Sequence, residues 1–534
     1  MPLMPWRFYR YMLADVLRQF AITAIILVVV IAFGAAIKPL SSDSLLTGWD
    51  TMKYLALAIV PMLQFALPFA GAFAATIGLH RMAQDNEIIA MAVCGQSYVR
   101  LLAPMALFGL LLTITVALLT QSVIPTFVGK MTSAMSAELP RLLTNSIRQH
   151  APFVQGNMII WAEDIFNIKD GDQERMALEH MAVAKIDNTG KANMYLTAAA
   201  AVVDVQRIND QTSMLVKFSD SAQWTSSADG SGLLRGAKEG QLTHPIDLPS
   251  LTKQRPSSLT RADLLALRSN PRNYPKVNTA AVQLESTLAE VHFMEAVHNE
   301  FAKKNSIFCD AVTGGRIISI VAAGMRNDVF LPPITVTSIS GTGEKRVLTP
   351  EAARLIVEPT ESGGIDSVTL QMKNVIVGAG EVGENVRGEL VVPSLRVRDV
   401  ATESVHATSI PELLSAAQVN TTNAVKNSTR ALRHQLELME GQIVGRIGQR
   451  WAVSLLSLLA IVLGSLFAIR FSSDPPLSVY AKVFVPTVVA LLLVFAGGQM
   501  VRDAREVSGF TVMWSGNIGL ILLVGFNWMK LRKT

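Results

Sequence analysis

Half of the 534 residues are apolar, only 17% are charged, and the mean hydropathy of +0.35 is too high for a soluble protein of this length. The net charge is a modest +5, and no Lys/Arg stripe with interleaved aromatics appears, which argues against a nucleic-acid partner. The two cysteines, Cys94 and Cys309, support neither a disulfide framework nor a cysteine-based metal site.

A helix needs about 20 apolar residues to cross a bilayer. Three charge-free runs near the N-terminus meet that length: Phe20 to Ile37, Tyr54 to Leu79 and Leu101 to Val128. The first lacks a small-x-small cleavage site before Lys38-Pro39 and is read as a retained helix. Pro61, Pro68 and Pro104 are tolerated in such spans and mark kinks. Between the second and third runs, residues 80–100 form a polar loop. Asp85 is placed to cap a short helix from Asn86 to Cys94, with Gly95 just past its end. Ile88, Met91 and Ala92 form its apolar patch, beside Glu87. Such a helix is either a docking knob for a soluble partner or an element lying on the lipid surface.

From Pro152 to about Pro245 the pattern is that of β-sheet. Met158–Trp161, Met181–Ile186, Met194–Val205 and Met214–Phe218 read as strands, with polar turns at Asp187–Gly190 and Ser226–Gly232. Leu259–Leu267 reads as helix, Asn270–Pro275 as a breaker and Thr279–Lys304 as a long helix. A second β region runs from Ile317 to about Val397, with turns at Pro332-Pro333, Gly363-Gly364 and Gly378-Ala379-Gly380. Helix returns at Ile410–Ala417 and Asn427–Arg450, and Ser257–Leu267 resembles Thr408–Ala417 as a repeated short element. Three more charge-free runs close the chain: Trp451–Ile469, Val483–Val501 and Val507–Met529.

Orientation follows from the cations in short flanks. With the N-terminus inside, the inner set is Arg7, Arg10, Arg18, Arg81, Arg100, Arg470, Lys482, Lys530, Arg532 and Lys533, against Lys38, Lys53, Arg502 and Arg505 outside. Both termini are then expected in the cytoplasm, with about Gly129 to Arg450 on the far side. That topology predicts that an impermeant thiol reagent reaches Cys309, if it is exposed, and not Cys94.

The loop carries a family resemblance. Glu87-Ile88-x-Ala90-Met91-x-x-Cys94-Gly95, followed by Arg100-Leu101-Leu102-x-Pro104, resembles the signature of the lipopolysaccharide-export permeases (LptF/LptG, also called YjgP/YjgQ). Val123-Ile124-Pro125, Arg7-Phe8-Tyr9-Arg10-Tyr11 and Met194-Tyr195-Leu196-Thr197-Ala198 resemble further family segments. Gly497-Gly498 resembles the last loop, and Trp514-x-x-Asn517 the sixth span. The resemblance covers about the first 245 residues and the last 100. It implies a membrane α-helical protein with six transmembrane helices (3+3) and an extracytoplasmic β-rich, jellyroll-like domain between helices 3 and 4. The divisions are then 1–128 for the N-terminal transmembrane half, 129–256 for the jellyroll-like domain, 257–450 for an additional helix/β/helix region, and 451–534 for the C-terminal transmembrane half. Within the third of these, residues 272–425 read as an insertion.

The resemblance further implies an inner-membrane permease subunit that works with a cytoplasmic ABC ATPase dimer (LptB-like), a second permease subunit and a periplasmic bridge protein (LptC/LptA-like). Glu87, Ile88, Met91 and Gly95 would couple to the ATPase. Lys38 would meet lipid phosphates or serve as an interfacial anchor. The cargo would be lipopolysaccharide or a related envelope lipid. No cofactor or metal is expected, and no G-x-x-x-x-G-K-[ST] run is present, Gly341-Thr342-Gly343-Glu344-Lys345 having the wrong spacing. Catalysis in this chain is not expected: the eight histidines show no metal-ligand spacing, and Ser250-x-x-Lys253 lacks its partner motifs. The competing readings are an ion-coupled transporter, a different ABC-type permease subunit, and a membrane-tethered scaffold without transport. The six charge-free runs, free also of histidine, argue against the first.

Overall fold

The computed structural model describes residues 6–41, 48–137, 139–155, 158–170, 173–186, 192–208, 211–226, 232–237, 242–243, 256, 258–311, 315–326, 328–340, 344–359, 365–378, 385–400, 409–420, 422–503 and 506–532. The chain begins with α1 (Trp6–Ser41), α2 (Gly48–Gln84), α3 (Glu87–Val93) and α4 (Tyr98–Leu118). A π-turn (Leu119–Val123) then leads into α5 (Ile124–Ala137) and α6 (Leu139–Arg148). Eight strands follow: β1 (Phe153–Gln155), β2 (Met158–Trp161), β3 (Asp164–Asp170), β4 (Gln173–Ile186), β5 (Ala192–Ile208), β6 (Gln211–Ser226), β7 (Gly232–Ala237) and β8 (Leu242–Thr243). Next come α7 (Arg261–Ser269) and α8 (Pro275–Lys304), then β9 (Ser306–Ala311), β10 (Ile317–Arg326), β11 (Val329–Ile339), β12 (Lys345–Pro359), β13 (Ile365–Gly378) and β14 (Asn385–Val397). The last helices are α9 (Ile410–Val419), α10 (Asn423–Arg470), α11 (Pro476–Arg502) and α12 (Glu506–Leu531). By contacts the chain forms two units, Met1–Ala266 with Gly441–Thr534, and Leu267–Glu440.

In the first unit, six helices are long and apolar enough to cross a membrane: Trp6–Ile31, Ile59–Gln84, Tyr98–Lys130, and stretches within Asn423–Arg470, Pro476–Arg502 and Val507–Leu531. Three precede the strands in the chain and three follow them. The helices run past the charge-free limits, because a helix continues through its polar ends. His80 therefore lies inside α2, fully buried, its Nδ1 3.4 Å from the Ala468 carbonyl. Asp15, in α1, pairs with Arg81 at 3.0 Å and accepts from Gln19 at 3.0 Å. Taken as whole helices, the candidate spans therefore do contain ionisable residues.

Without a hydrophobic drive between helices in lipid, close backbone approach decides packing. A Cβ on Gly464 of α10 would strike Thr76 of α2, and one on Gly516 of α12 would come within 2.6 Å of the Ala490 Cα of α11. Gly497 and Gly498 lie inside α11 rather than in a loop, and a Cβ on Gly497 would meet the Met513 backbone of α12. Here small residues continue the helix instead of breaking it, since the neighbouring helix fills their space. Asn517 donates to the Ala452 carbonyl at 3.0 Å, tying α12 to α10.

The first sheet is antiparallel, in the order β1-β2-β4-β5-β6-β7, with β3 on β4 and β8 on β6. The first four sequence runs fall on β2, β4, β5 and β6, but β4 to β6 are much longer than those runs. The reason is a crease. His180 in β4 and Asp220 in β6 have φ of 46° and 48°, and Ala199 of β5 lies between them, all three skipped in the pairing. The inward face shifts by one residue there, from Met176 and Leu178 to Met181 and Val183 in β4, and from Leu196 and Ala198 to Ala201 and Val203 in β5. A break in the period of two hides the continuous strand from pattern reading. Leu143 and Ile147 of α6 pack against this inward face. The turn residues 187–190 lie outside the described residues, as do 227–231 and 250–253.

In the second unit, β10-β11-β12-β13-β14-β9 closes into a six-stranded antiparallel barrel. Its core includes Phe330, Leu355, Leu370 and Met372, with Phe293, Val297 and Phe301 of α8 packed onto it. The Arg398 guanidinium makes a two-pronged contact with Asp310, at 2.6 and 2.7 Å, and holds its carboxyl below the usual carboxylate range. Pro332-Pro333 is not a turn: it lies within β11, where pairing with β12 lapses between Phe330 and Val336. Proline cannot donate to a ladder, so the strand passes through with its bonds interrupted. Pro275 does not extend the breaker but opens α8, where a missing N–H costs nothing. The glycine turns at 363–364 and 379–380, like 341–343, lie outside the described residues. Each short helix of the suspected repeat precedes a long one: α7 with 9 residues before α8 with 30, and α9 with 10 before α10 with 48.

Cys309 lies fully buried in the barrel core, and burial pushes its thiol up to about 12, whereas Cys94 is exposed. A thiol reagent should therefore label Cys94 in the folded protein at neutral pH and reach Cys309 only after denaturation. Peptide mapping of the labelled sites checks this. Gly516→Ala should destabilise the bundle by about 1–3 kcal/mol through overpacking. Gly519→Ala, with nothing within 4 Å of the added carbon, should not. Thermal unfolding in detergent separates the two.

Candidate functional site

The loop between the second and third spans is built as a helix–turn–helix end. Asp85 directly follows α2, its N–H donating back to the Arg81 carbonyl at 2.9 Å. The residue preceding α3 is Asn86, at φ 60°, and no side chain caps the helix. Asp85 is therefore not the cap: the sharp reversal needs a left-handed residue, which asparagine tolerates, and this shifts the boundary by one. At the other end, Gly95 donates to the Ala92 carbonyl at 2.9 Å and Gln96 to the Met91 carbonyl at 3.2 Å. These two bonds make a Schellman cap. Gly95 has φ of +81° with open space around its α-carbon, so backbone conformation rather than room calls for glycine.

The seven residues of α3 divide into two faces. Ile88 is 2% exposed and belongs to the core shared with Leu79, Met82, Leu101 and Met105, and Met91 packs against that core. The expected apolar patch of Ile88, Met91 and Ala92 is thus mainly the inward anchor. The outward apolar groups are Ile89 and Val93, the latter 83% exposed, which the sequence reading did not single out. Their signal was present: four residues apart, they share a helix face distinct from that of Ile88, Met91 and Ala92. Glu87 sits in the first turn of α3, where a carboxylate suits the helix dipole. Its Oε2 is shielded from solvent and has no donor among the described residues.

A cleft of about 520 Å³ opens beside α3, lined by Ile88, Ile89, Tyr98, Arg470, Ser472 and Lys530 among others. Arg470 of α10 bonds to the Asn527 side-chain oxygen and lies 5.0 Å from the Phe471 ring centroid. Lys530 lies 4.6 Å from that of Phe526. The ends of α2, α10 and α12 thus meet at this cleft, together with α3 and Tyr98 at the start of α4. Tyr9 Oη donates to the Arg100 carbonyl at 2.9 Å and ties the start of α1 to α4. Glu87, Ile88 and Met91 fall together in α3, with Gly95 just past its end. Lys38 lies within α1, and its side chain is outside the described residues. No group of three or more His, Cys, Asp or Glu residues suited to a metal occurs among the described residues.

Burial of Ile88 makes a direct test. Ile88→Ala should cost about 2–5 kcal/mol through the lost side chain and the cavity left behind. Val93→Ala should change stability by less than about 0.5 kcal/mol. Thermal unfolding of both variants in one detergent checks the difference.

The family model for the lipopolysaccharide export system permease LptF/LptG matches residues 10–291. The match takes in α3, the first sheet and the first half of α8. It ends before the closing hundred residues, so the resemblance noted at Gly497-Gly498 and Trp514-x-x-Asn517 lies outside it. No curated protein matches the chain. With more than half of its length matched, six apolar helices and a β-rich region, the chain belongs to the LptF/LptG family of lipopolysaccharide-export permeases and is a multi-pass inner-membrane protein.

Proposed function

We propose that this chain is the permease subunit of an ATP-driven ABC-type exporter that draws lipopolysaccharide or a related envelope lipid from the inner membrane and passes it to a periplasmic bridge. The observation that carries this reading is the anchored α3. Ile88 fixes the helix in the bundle core while Ile89, Val93 and the partly exposed Glu87 remain for a partner. A motor gripping this helix would pull directly on the packed bundle. The cytoplasmic ABC ATPase dimer is that motor, since a scaffold without transport needs no such handle.

The cation bias supports an orientation with both termini in the cytoplasm, α1, α2 and α4 forming one transmembrane half and α10, α11 and α12 the other. The creased first sheet supports a jellyroll-like domain, and its apolar inward face is the surface along which acyl chains would travel. Exposing ten CH₂ groups of one chain costs roughly 8 kcal/mol, at about 0.8 each, so a multi-chain lipid needs both a covered path and an energy source. A second permease subunit would complete the transmembrane path. The barrel falls in the region read as an insertion, and the two short-then-long helix pairs on either side of it support that reading.

Glu87→Ala should lower co-purification with the ATPase, or uncouple its hydrolysis from lipid export, while leaving thermal stability within about 0.5 kcal/mol of wild type. Pull-down and transport assays in reconstituted vesicles measure both. Unchanged recovery together with unchanged export would remove the docking role.

A further inference from the structure

A second cleft, of about 550 Å³, lies at the other end of α4 from α3. There the regular helix gives way to the π-turn at Leu119–Val123, a device that often re-aims side chains at functional sites. The turn carries Gln121 into the cleft. Gln121 is only 8% exposed, and neither its amide nitrogen nor its amide oxygen has a hydrogen-bond partner among the described residues. Leaving such a group unpaired is costly, so a ligand or water is expected to meet it. Thr120 beside it is satisfied, donating to the Val116 carbonyl at 2.8 Å.

Arg261, at the start of α7, stands at the same cleft, exposed and with no ion pair among the described residues. Ile114, Leu118, Leu265 and Trp451 supply an exposed apolar wall. Gln121 lies 21 residues beyond Arg100, about 30 Å along the helix at 1.5 Å each, which matches the thickness of a hydrocarbon core. A cation, a tryptophan and a polar orphan at that depth, above an apolar wall, match the order of groups in a membrane lipid.

We propose that this cleft is a lipid-binding site in which Arg261 receives the phosphate of an anionic lipid and Gln121 hydrogen-bonds its acyl linkage. The first methylenes lie over Leu118, Ile114 and Leu265. The leaflet is the outer one, an assignment that rests on the orientation proposed above, whereas lipid binding itself does not depend on ATPase coupling. Phosphate and acyl linkage are shared by a bulk phospholipid and by lipid A, so both are tested.

The experiment is native mass spectrometry of the full-length protein in detergent, titrated separately with phosphatidylglycerol and with lipid A. Wild type should retain one lipid, and Gln121→Leu and Arg261→Ala should each weaken retention at least tenfold, with Arg532→Ala at the far end as the unaffected control. Binding of phosphatidylglycerol alone assigns the site to the surrounding leaflet, and binding of lipid A alone assigns it to the cargo. Equal retention by wild type and both variants would overturn the proposal and leave Gln121 to water. Should Gln121→Leu fail to fold, the exposed Arg261 still decides the outcome. Neither result bears on the Glu87 variant, so failure here is separable from failure of the export reading.

Discussion

A seven-residue helix can transmit force only if it is fastened to what it must move, and here the fastener is Ile88. An isolated helix of that length does not hold its shape in water, because nucleation is costly and few bonds repay it. Burial of Ile88 among Leu79, Met82, Leu101 and Met105, with Met91 alongside, supplies the missing stability from tertiary packing. The Schellman cap at Gly95 and the left-handed Asn86 then fix both ends. Because these core residues sit on α2 and α4, displacement of α3 displaces the spans on either side of it.

The rest of the bundle is held by close backbone contacts between helices. Gly464, Gly497 and Gly516 bring backbones together so closely that a methyl group has no room. Contacts of this kind resist separation and permit few alternative arrangements, which suits rigid-body shifts of whole helices over bending within them. The π-turn in the third span is a local departure, and it coincides with the buried amide of Gln121.

Much of this architecture is legible in the residues, for physical reasons that differ by element. Spans announce themselves because a charge in hydrocarbon is costly, so a charge-free run of about 20 residues is seldom anything but a membrane helix. Their ends are less readable because helices continue into polar flanks, which is how His80 comes to be inside α2. The strands β4 to β6 read short because the crease at His180, Ala199 and Asp220 shifts the alternation by one residue. The barrel is visible only as a β region, since closure is the long-range pairing of β9 with β14 that no local pattern encodes. At the candidate site, the identity of Glu87 and the role of Gly95 as a helix terminator are readable from local chemistry. Which face of α3 turns inward is not, because a short helix with apolar residues on both sides offers Ile88 and Ile89 equally until tertiary packing chooses.

The central claim is that the exposed face of α3 contacts a nucleotide-hydrolysing partner while its buried face grips the bundle. Val93 lies on the exposed face, and the neighbouring Cys94 is a native handle that is exposed as well. The most direct measurement is thiol crosslinking from Cys94, with a short bifunctional maleimide, in membranes that contain the co-expressed ATPase. A covalent adduct between the two chains, responsive to nucleotide and absent when Cys94→Ser is combined with Gly519→Cys, is the predicted result. Failure to form any adduct in membranes that still export lipid would contradict the account.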